Sequence, residues 1–151
     1  MADLITADAL TRYLHDHIPL TRHMQIVVVE CGAARIVLAA PLAPNVNHRA
    51  TAFGGSLSSA AILAGWAWLH VRLTELGRRQ RLVISESTTT YEHPVDGAFE
   101  AICESPAAAE FDRFTQILDR RGKARITLKS HVTCNGRVAV RHIGRYAAVG
   151  H

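Results

Sequence analysis

The feature that most constrains this chain is the run "LSSAAILAGWAWLHVRLTEL", Leu57 to Leu76, which places apolar groups on nearly every side of a helix. Ala60, Ala61, Ala64, Gly65 and Ala67 keep that helix narrow, while Leu57, Ile62, Leu63, Trp66, Trp68 and Leu69 surround it with bulk. A helix that is hydrophobic all round is a buried helix. The Gly54–Gly55 pair opens it, with Ser56 as the expected cap, and Gly77 stops it. At ~1.5 Å per residue, roughly 22 residues span about 33 Å. Such an element needs a sheet or a partner chain wrapped around it. It is not a membrane span, because the apolar part is short and leads into His70, Arg72 and Glu75.

The rest of the chain reads as the material for that sheet. Thr6 to His17 is a short amphipathic helix with Thr6 or Asp8 as cap, ended by Pro19. Two β-branched runs, Met24 to Glu30 and Arg35 to Ala40, read as a hairpin closed by Pro41 and Pro44. After the long helix, Arg81 to Tyr91 alternates as a strand should, and Phe99 to Glu104 follows a turn at Asp96-Gly97. Ala107 to Arg121 has helical spacing and is broken by Gly122; Lys123 to Cys134 and Arg137 to Val149 then form a hairpin around Asn135-Gly136. This order lacks βαβ alternation. The class is therefore α+β with an antiparallel sheet, and residues 1–151 form one domain. One sheet face takes the buried helix; the other is left over and invites dimerisation.

Composition narrows the function classes. Apolar residues make up 48% of the chain and charged ones 20%, enough to bury one core. Cys31, Cys103 and Cys134 are an odd, widely spaced set, which predicts reduced thiols in the cytoplasm and no disulfide frame. The nine His form no spaced ligand motif, so no metal is expected. "MADLITADAL" has no basic region leading into an apolar one, so it does not read as a signal peptide. The net charge of +4 comes from fifteen Arg and two Lys against thirteen acids. The Arg78–Arg81 and Arg120–Arg125 clusters read as solvated helix ends or as a landing patch for an acidic partner. Nucleic acid ranks low, because interleaved aromatics and a recognition-helix pattern are missing.

Just before the long helix stands "NVNHRATAFGGS", Asn45 to Ser56. Glycines at a helix start present N–H groups with no intrahelical partner, and without a Cβ they let a ligand oxygen come close. Asn45, Asn47 and His48 can add side-chain donors to the same space. Equally, the Asn side chains can cap turns while the glycines permit a tight entry to the helix. Both readings stand on the residues alone.

That stretch, extended to Trp66, resembles the opening of the YiiD C-terminal type of thioesterase-like domain in the hotdog superfamily, and "YEHPVDG" looks like that family's Tyr-x-x-Pro-Val turn. The resemblance implies a hotdog fold, a curved antiparallel sheet around the central helix. It also implies dimers or dimers of dimers with sites between protomers. The substrates it implies are acyl thioesters of coenzyme A or acyl carrier protein, so phosphopantetheine arrives with the substrate and no resident cofactor is needed. Many hotdog thioesterases carry Asn, His-Gly-Gly and then a helix acid. By that pattern Asn47, Gly54 and Gly55 are the catalytic candidates, but the motif His is Phe53 and the acid position falls on Ile62. No acid occurs between Gly55 and Leu73. Glu86 or Glu92 can replace it as base only if they point inward.

The missing acid favours a reaction with lighter needs, and the resemblance implies one, decarboxylation of a malonyl-carrier thioester to the acetyl form that initiates fatty-acid synthesis. Fixed donors to the developing enolate suffice there, each worth ~3 kcal/mol. Asn47, the N–H of Gly54 or Gly55, and His48 fit that task. Asn45, His48, Thr51, Phe53 and Ser56 are the substrate-binding candidates, with Asn45 more naturally a loop strut, Thr51 and Ser56 caps, and Phe53 a packing residue. Ser85, Ser87 and Thr89 lie on a strand able to face the site; Tyr91 and His93 read as turn packing. Thioester hydrolysis is the alternative, and a non-catalytic acyl-thioester binder the third reading.

Overall fold

The computed structural model describes residues 4–150. The first three residues of the N-terminal stretch and His151 lie outside them. Helix α1 spans Ala7–His17, capped by the Thr6 hydroxyl on the N–H of Ala9 at 3.1 Å. Pro19 ends it, as expected, yet also opens a five-residue helix α2, Pro19–His23, that the periodicity does not reveal. Proline suits a first helical position because its missing N–H would have no partner there. Met24 then belongs to the end of α2 and Gln25 sits at φ +57°, so strand β1 is Val27–Cys31 and not the longer 24–30 run.

The remaining elements follow the expected order: β2 (Arg35–Ala40), a 3-10 turn (Ala43–Asn45), α3 (Gly54–Glu75), β3 (Arg81–Tyr91), β4 (Phe99–Glu104), α4 (Ala108–Arg121), β5 (Lys123–Cys134) and β6 (Arg137–Val149). All strand pairs are antiparallel in one six-stranded sheet ordered β1-β2-β4-β5-β6-β3. Asn135 and Gly136 both take positive φ, 54° and 75°, as the two-residue turn between β5 and β6 requires.

Helix α3 lies in the core, packed against strands β2 to β6. Leu57, Ala61, Ala64, Trp68, Leu69 and Leu73 along it are all buried. Its polar groups are anchored too: Trp68 Nε1 donates to the Ala33 carbonyl and Trp66 Nε1 to that of Leu82. Helix α4 closes the far end of α3, where Phe111 meets the edge of Trp68 at 5.3 Å and the Arg72 guanidinium lies over Phe111. Gly65 marks the tightest approach. A Cβ there would stand 2.4 Å from the hydroxyl of Tyr146, which reaches over from β6 to donate to the Ile62 carbonyl at 2.8 Å.

The opposite sheet face is the one left over by the helix, and it is mixed in character. Lys129, Arg141 and Arg145 stand on it beside the exposed side chains of Val83 and Ile143. No helix among the described residues is long and apolar enough to cross a membrane.

Strand β3 is an edge strand with one irregularity that matters. Its register against β6 shifts between Ile84 and Glu86. Leu82 and Ile84 are half-buried in normal alternation, and Ser85 is the extra residue of the bulge. Beyond the bulge the phase is reversed, so Ser87, Thr89 and Tyr91 face α3 while Glu86 turns away.

Gly65→Ala is expected to destabilise the protein by about 1–3 kcal/mol through overpacking against Tyr146. Helix propensity alone favours Ala by about 1 kcal/mol. Equilibrium denaturant unfolding checks the sign, and a stabilised variant would contradict this packing.

Candidate active site

The Asn/Gly stretch folds into a small closed loop. Val46 bridges Ala52, the N–H of Asn47 donates to the Thr51 carbonyl at 2.7 Å, and that of Phe53 to the Asn45 carbonyl at 2.7 Å. The Asn47 side chain works inside this loop: Oδ1 accepts from the N–H groups of Arg49 and Thr51, and Nδ2 donates to the Thr51 hydroxyl at 2.8 Å. One amide N–H is thus engaged within the loop, and the other lies 3.5 Å from the Ala52 carbonyl. Thr51 closes the same ring and caps no helix. Asn45 is buried and donates to the carbonyls of Met24 and Pro41, so it is the loop strut foreseen for it. His48 is exposed beside Ala50, which turns the loop at φ +63°.

The start of α3 stays open. Phe53 occupies the cap position with no side-chain cap, and Ser56, expected to cap, instead donates its own N–H to the Phe53 carbonyl. Among the described residues no acceptor meets the N–H of Gly54 or Gly55. The half-exposed Phe53 ring lies over Gly55, where a Cβ would stand 2.4 Å from it.

The "YEHPVDG" turn docks on the loop, bringing together motifs 40 residues apart. The N–H of Ala52 donates to the Val95 carbonyl at 2.7 Å, and the Tyr91 hydroxyl donates to the Gly54 carbonyl at 2.8 Å. Tyr91 is therefore tied to the helix start, beyond the turn packing expected of it. Between them lies an open depression of about 360 Å³ lined by Ala52, Leu57, Tyr91 and Val95 among others.

A polar strip continues from there along α3. Thr89 Oγ1 and Ser58 Oγ are 3.3 Å apart. Further on, Ser87 Oγ lies 2.8 Å from Nε2 of His142, whose Nδ1 is 3.3 Å from Ser130 Oγ; that hydroxyl donates to the Ala61 carbonyl at 2.8 Å. His142 is 2% exposed, and burial holds its pKa below the ordinary imidazole value. His142 and Ser130 were missed in the sequence. Each is in phase with buried neighbours on its strand, Tyr146 and Ala148 or Leu128 and Val132, and a polar residue at such an inward position was the available signal. Of the two acids expected to act only if they point inward, Glu86 pairs with Arg145 on the outer face, whereas Glu92 lines the depression and is held there by Arg141 at 3.1 Å.

This architecture and this loop have known counterparts. Residues 7–150 match the family model described as "Putative thioesterase (yiiD_Cterm)". The chain belongs to that family. A crystal structure of a protein of unknown function from Chlorobaculum tepidum TLS is 30% identical, superposes with a TM-score of 0.92 and is covered to 99%, with 98% of this chain. A "putative thioesterase" from Shewanella oneidensis is 27% identical with a TM-score of 0.85, over 95% of this chain and 96% of that one. A Pseudomonas aeruginosa structure, 19% identical with full coverage of both chains and a TM-score of 0.82, shares the fold. The domain is a hotdog fold of the thioesterase-like kind, with the antiparallel sheet around a long central helix that the resemblance implied.

Acid is expected to weaken the fold. Burial lowers the pKa of His70, His131 and His142, so below an unfolded value of about 6.5 the unfolded chain binds protons that the native one does not. Stability present above that pH is lost as pH falls toward the native values. Thermal unfolding midpoints should drop between about pH 7.5 and pH 5; a flat or rising trend would contradict it.

Proposed function

We propose that the protein hydrolyses acyl thioesters to a carboxylic acid and a free thiol. The observation that carries this reading is the pair of unpartnered N–H groups of Gly54 and Gly55 at the start of a buried apolar helix, beside an open depression. A thioester carbonyl oxygen gains negative charge as its carbon is attacked, and each preorganised donor at such an oxygen is worth ~3 kcal/mol. Membership of a thioesterase family supports the same chemistry. The apolar wall of Ala52, Leu57 and Val95 suits an acyl chain. Coenzyme A or acyl carrier protein then supplies the thiol, and its phosphopantetheine arm comes with the substrate.

The working unit in this reading is a homodimer joined along β3. That strand presents eleven residues with one neighbour, β6, and its other edge carries unpaired backbone groups among the described residues. A second copy placed antiparallel there would bring its own α3 start opposite the middle of this chain's α3.

Malonyl-carrier decarboxylation is the second reading. One observation favours it: no carboxylate stands on α3 before Glu75, Glu86 faces outward, and Glu92 is engaged by Arg141. The bond of the Asn47 amide to Thr51 weakens it, because one N–H of a donor it relies on is spent within the loop.

Incubation with malonyl, acetyl and longer acyl forms of both coenzyme A and carrier protein, read by mass spectrometry, separates the two. Hydrolysis predicts free thiol and free acid. Loss of CO2 with the thioester intact would instead establish the decarboxylase.

A further inference from the structure

The geometry around His142 has a direction to it. The Ala61 carbonyl can only accept, so the single proton of Ser130 goes there. The Ser130 oxygen is then free to accept, and its contact with Nδ1 places the imidazole proton on Nδ1. Nε2 is left as an acceptor, and what it meets at 2.8 Å is the hydroxyl of Ser87. A proton thus leads from Ser87 toward a neutral buried imidazole, while Ser87 itself is exposed to solvent.

The strands are shaped for this contact. In register, Ser130 and Thr89 flank His142 on either side, whereas Ser87 is opposite Gly144. His142 must therefore reach diagonally across Gly144 to touch Ser87. A Cβ at 144 would stand 2.8 Å from His142 Cε1, so the diagonal is open only because that residue is glycine. The bulge at Ser85 supplies the other half, because without it Glu86 and not Ser87 would face inward.

We propose that Ser87 is an acyl-accepting nucleophile, activated by His142 as general base, with Ser130 as a positioning residue that fixes the imidazole tautomer. The acyl donors are the thioesters of the hydrolytic reading above, on which this inference rests. Ser87 Oγ bonds to the thioester carbonyl carbon as its proton passes to His142 Nε2. The carbon–sulfur bond breaks, and the imidazolium returns the proton to the departing sulfur as thiol. Water then attacks the seryl ester with His142 again taking the proton, the carbon–Oγ bond breaks, and the proton goes back to Ser87. The sum is thioester plus water to acid plus thiol. Since Thr89 meets Ser58, Ser87 stands about a further turn along α3, roughly 10 Å from the Gly54 N–H of the same chain at 1.5 Å per residue. The donors to its acyl oxygen would accordingly come from the second copy proposed above.

The test has two arms on the full-length protein. A fluorophosphonate probe followed by peptide mapping should place one label on Ser87, lost in His142→Gln and strongly reduced in Gly144→Ala. Thiol release from butyryl-coenzyme A should fall at least ~100-fold in Ser87→Ala, an exposed change with little reason to unfold the chain. The rate should also fall with an acid limb below the ordinary imidazole range. The groups that β3 and β5 present to the ring are Ser87, Thr89 and Ser130, all uncharged, and from its own strand the Tyr146 ring shares the space over Gly144. Wild-type hydrolysis retained in Ser87→Ala, or labelling that ignores His142, would overturn the dyad while leaving the hydrolytic reading intact. Labelling of Ser87 that depends on His142, in a protein that cleaves no thioester, would sustain the dyad and overturn the hydrolytic reading instead.

Discussion

Everything in this molecule answers to the enclosure of α3. A helix apolar on every side has no face to give to water, so the sheet must pass around it and α4 must close its far end against Trp68 and Phe111. The same composition leaves the buried part of the helix little to offer beyond its backbone and the hydroxyl of Ser58. Two N–H groups at its start meet no acceptor among the described residues, and the carbonyls of Gly54, Ala61 and Ile62 accept from Tyr91, Ser130 and Tyr146. Reactive side chains consequently stand on the strands that face it, at β3, β5 and β6.

The bulge in β3 decides which side chains those are. A strand alternates strictly, so a single extra residue moves every later side chain to the other face. Leu82 and Ile84 continue the core, and the bulge at Ser85 then turns Ser87, Thr89 and Tyr91 toward the helix and sends Glu86 to an ion pair with Arg145. A carboxylate facing the apolar helix would carry a heavy desolvation cost. The serine and threonine hydroxyls that replace it each find a partner, on His142 and on Ser58.

Much of this was legible in the residues. The apolar circumference of α3, the Gly77 stop, the Asn135-Gly136 turn and the helix at Phe111 to Leu118 each follow from local patterning that the fold obeys. The two motifs at Asn45–Ser56 and Tyr91–Gly97 also meet. What stayed hidden depends on contacts far apart in sequence. Asn47 carries its own donors back into the loop, which residue type cannot reveal. The short α2 follows from tertiary placement of Pro19. The bulge lies in a polar, Thr-rich strand whose alternation gives no cue to a shift. His142 and Ser130 are 12 residues apart but became neighbours only through the register of the β5–β6 hairpin, and Ser87 is 55 residues from His142.

The central claim is that a neutral imidazole is held with its free nitrogen on a serine hydroxyl, beside the middle of a helix whose one acid, Glu75, is at its far end. Nitrogen NMR of the ring of His142 in the intact protein tests it most directly. The predicted spectrum at neutral pH is an uncharged ring protonated on Nδ1, with an Nε2 signal that moves in Ser87→Ala and a titration below the ordinary imidazole range. An imidazolium at pH 7, or a ring protonated on Nε2, would contradict the account.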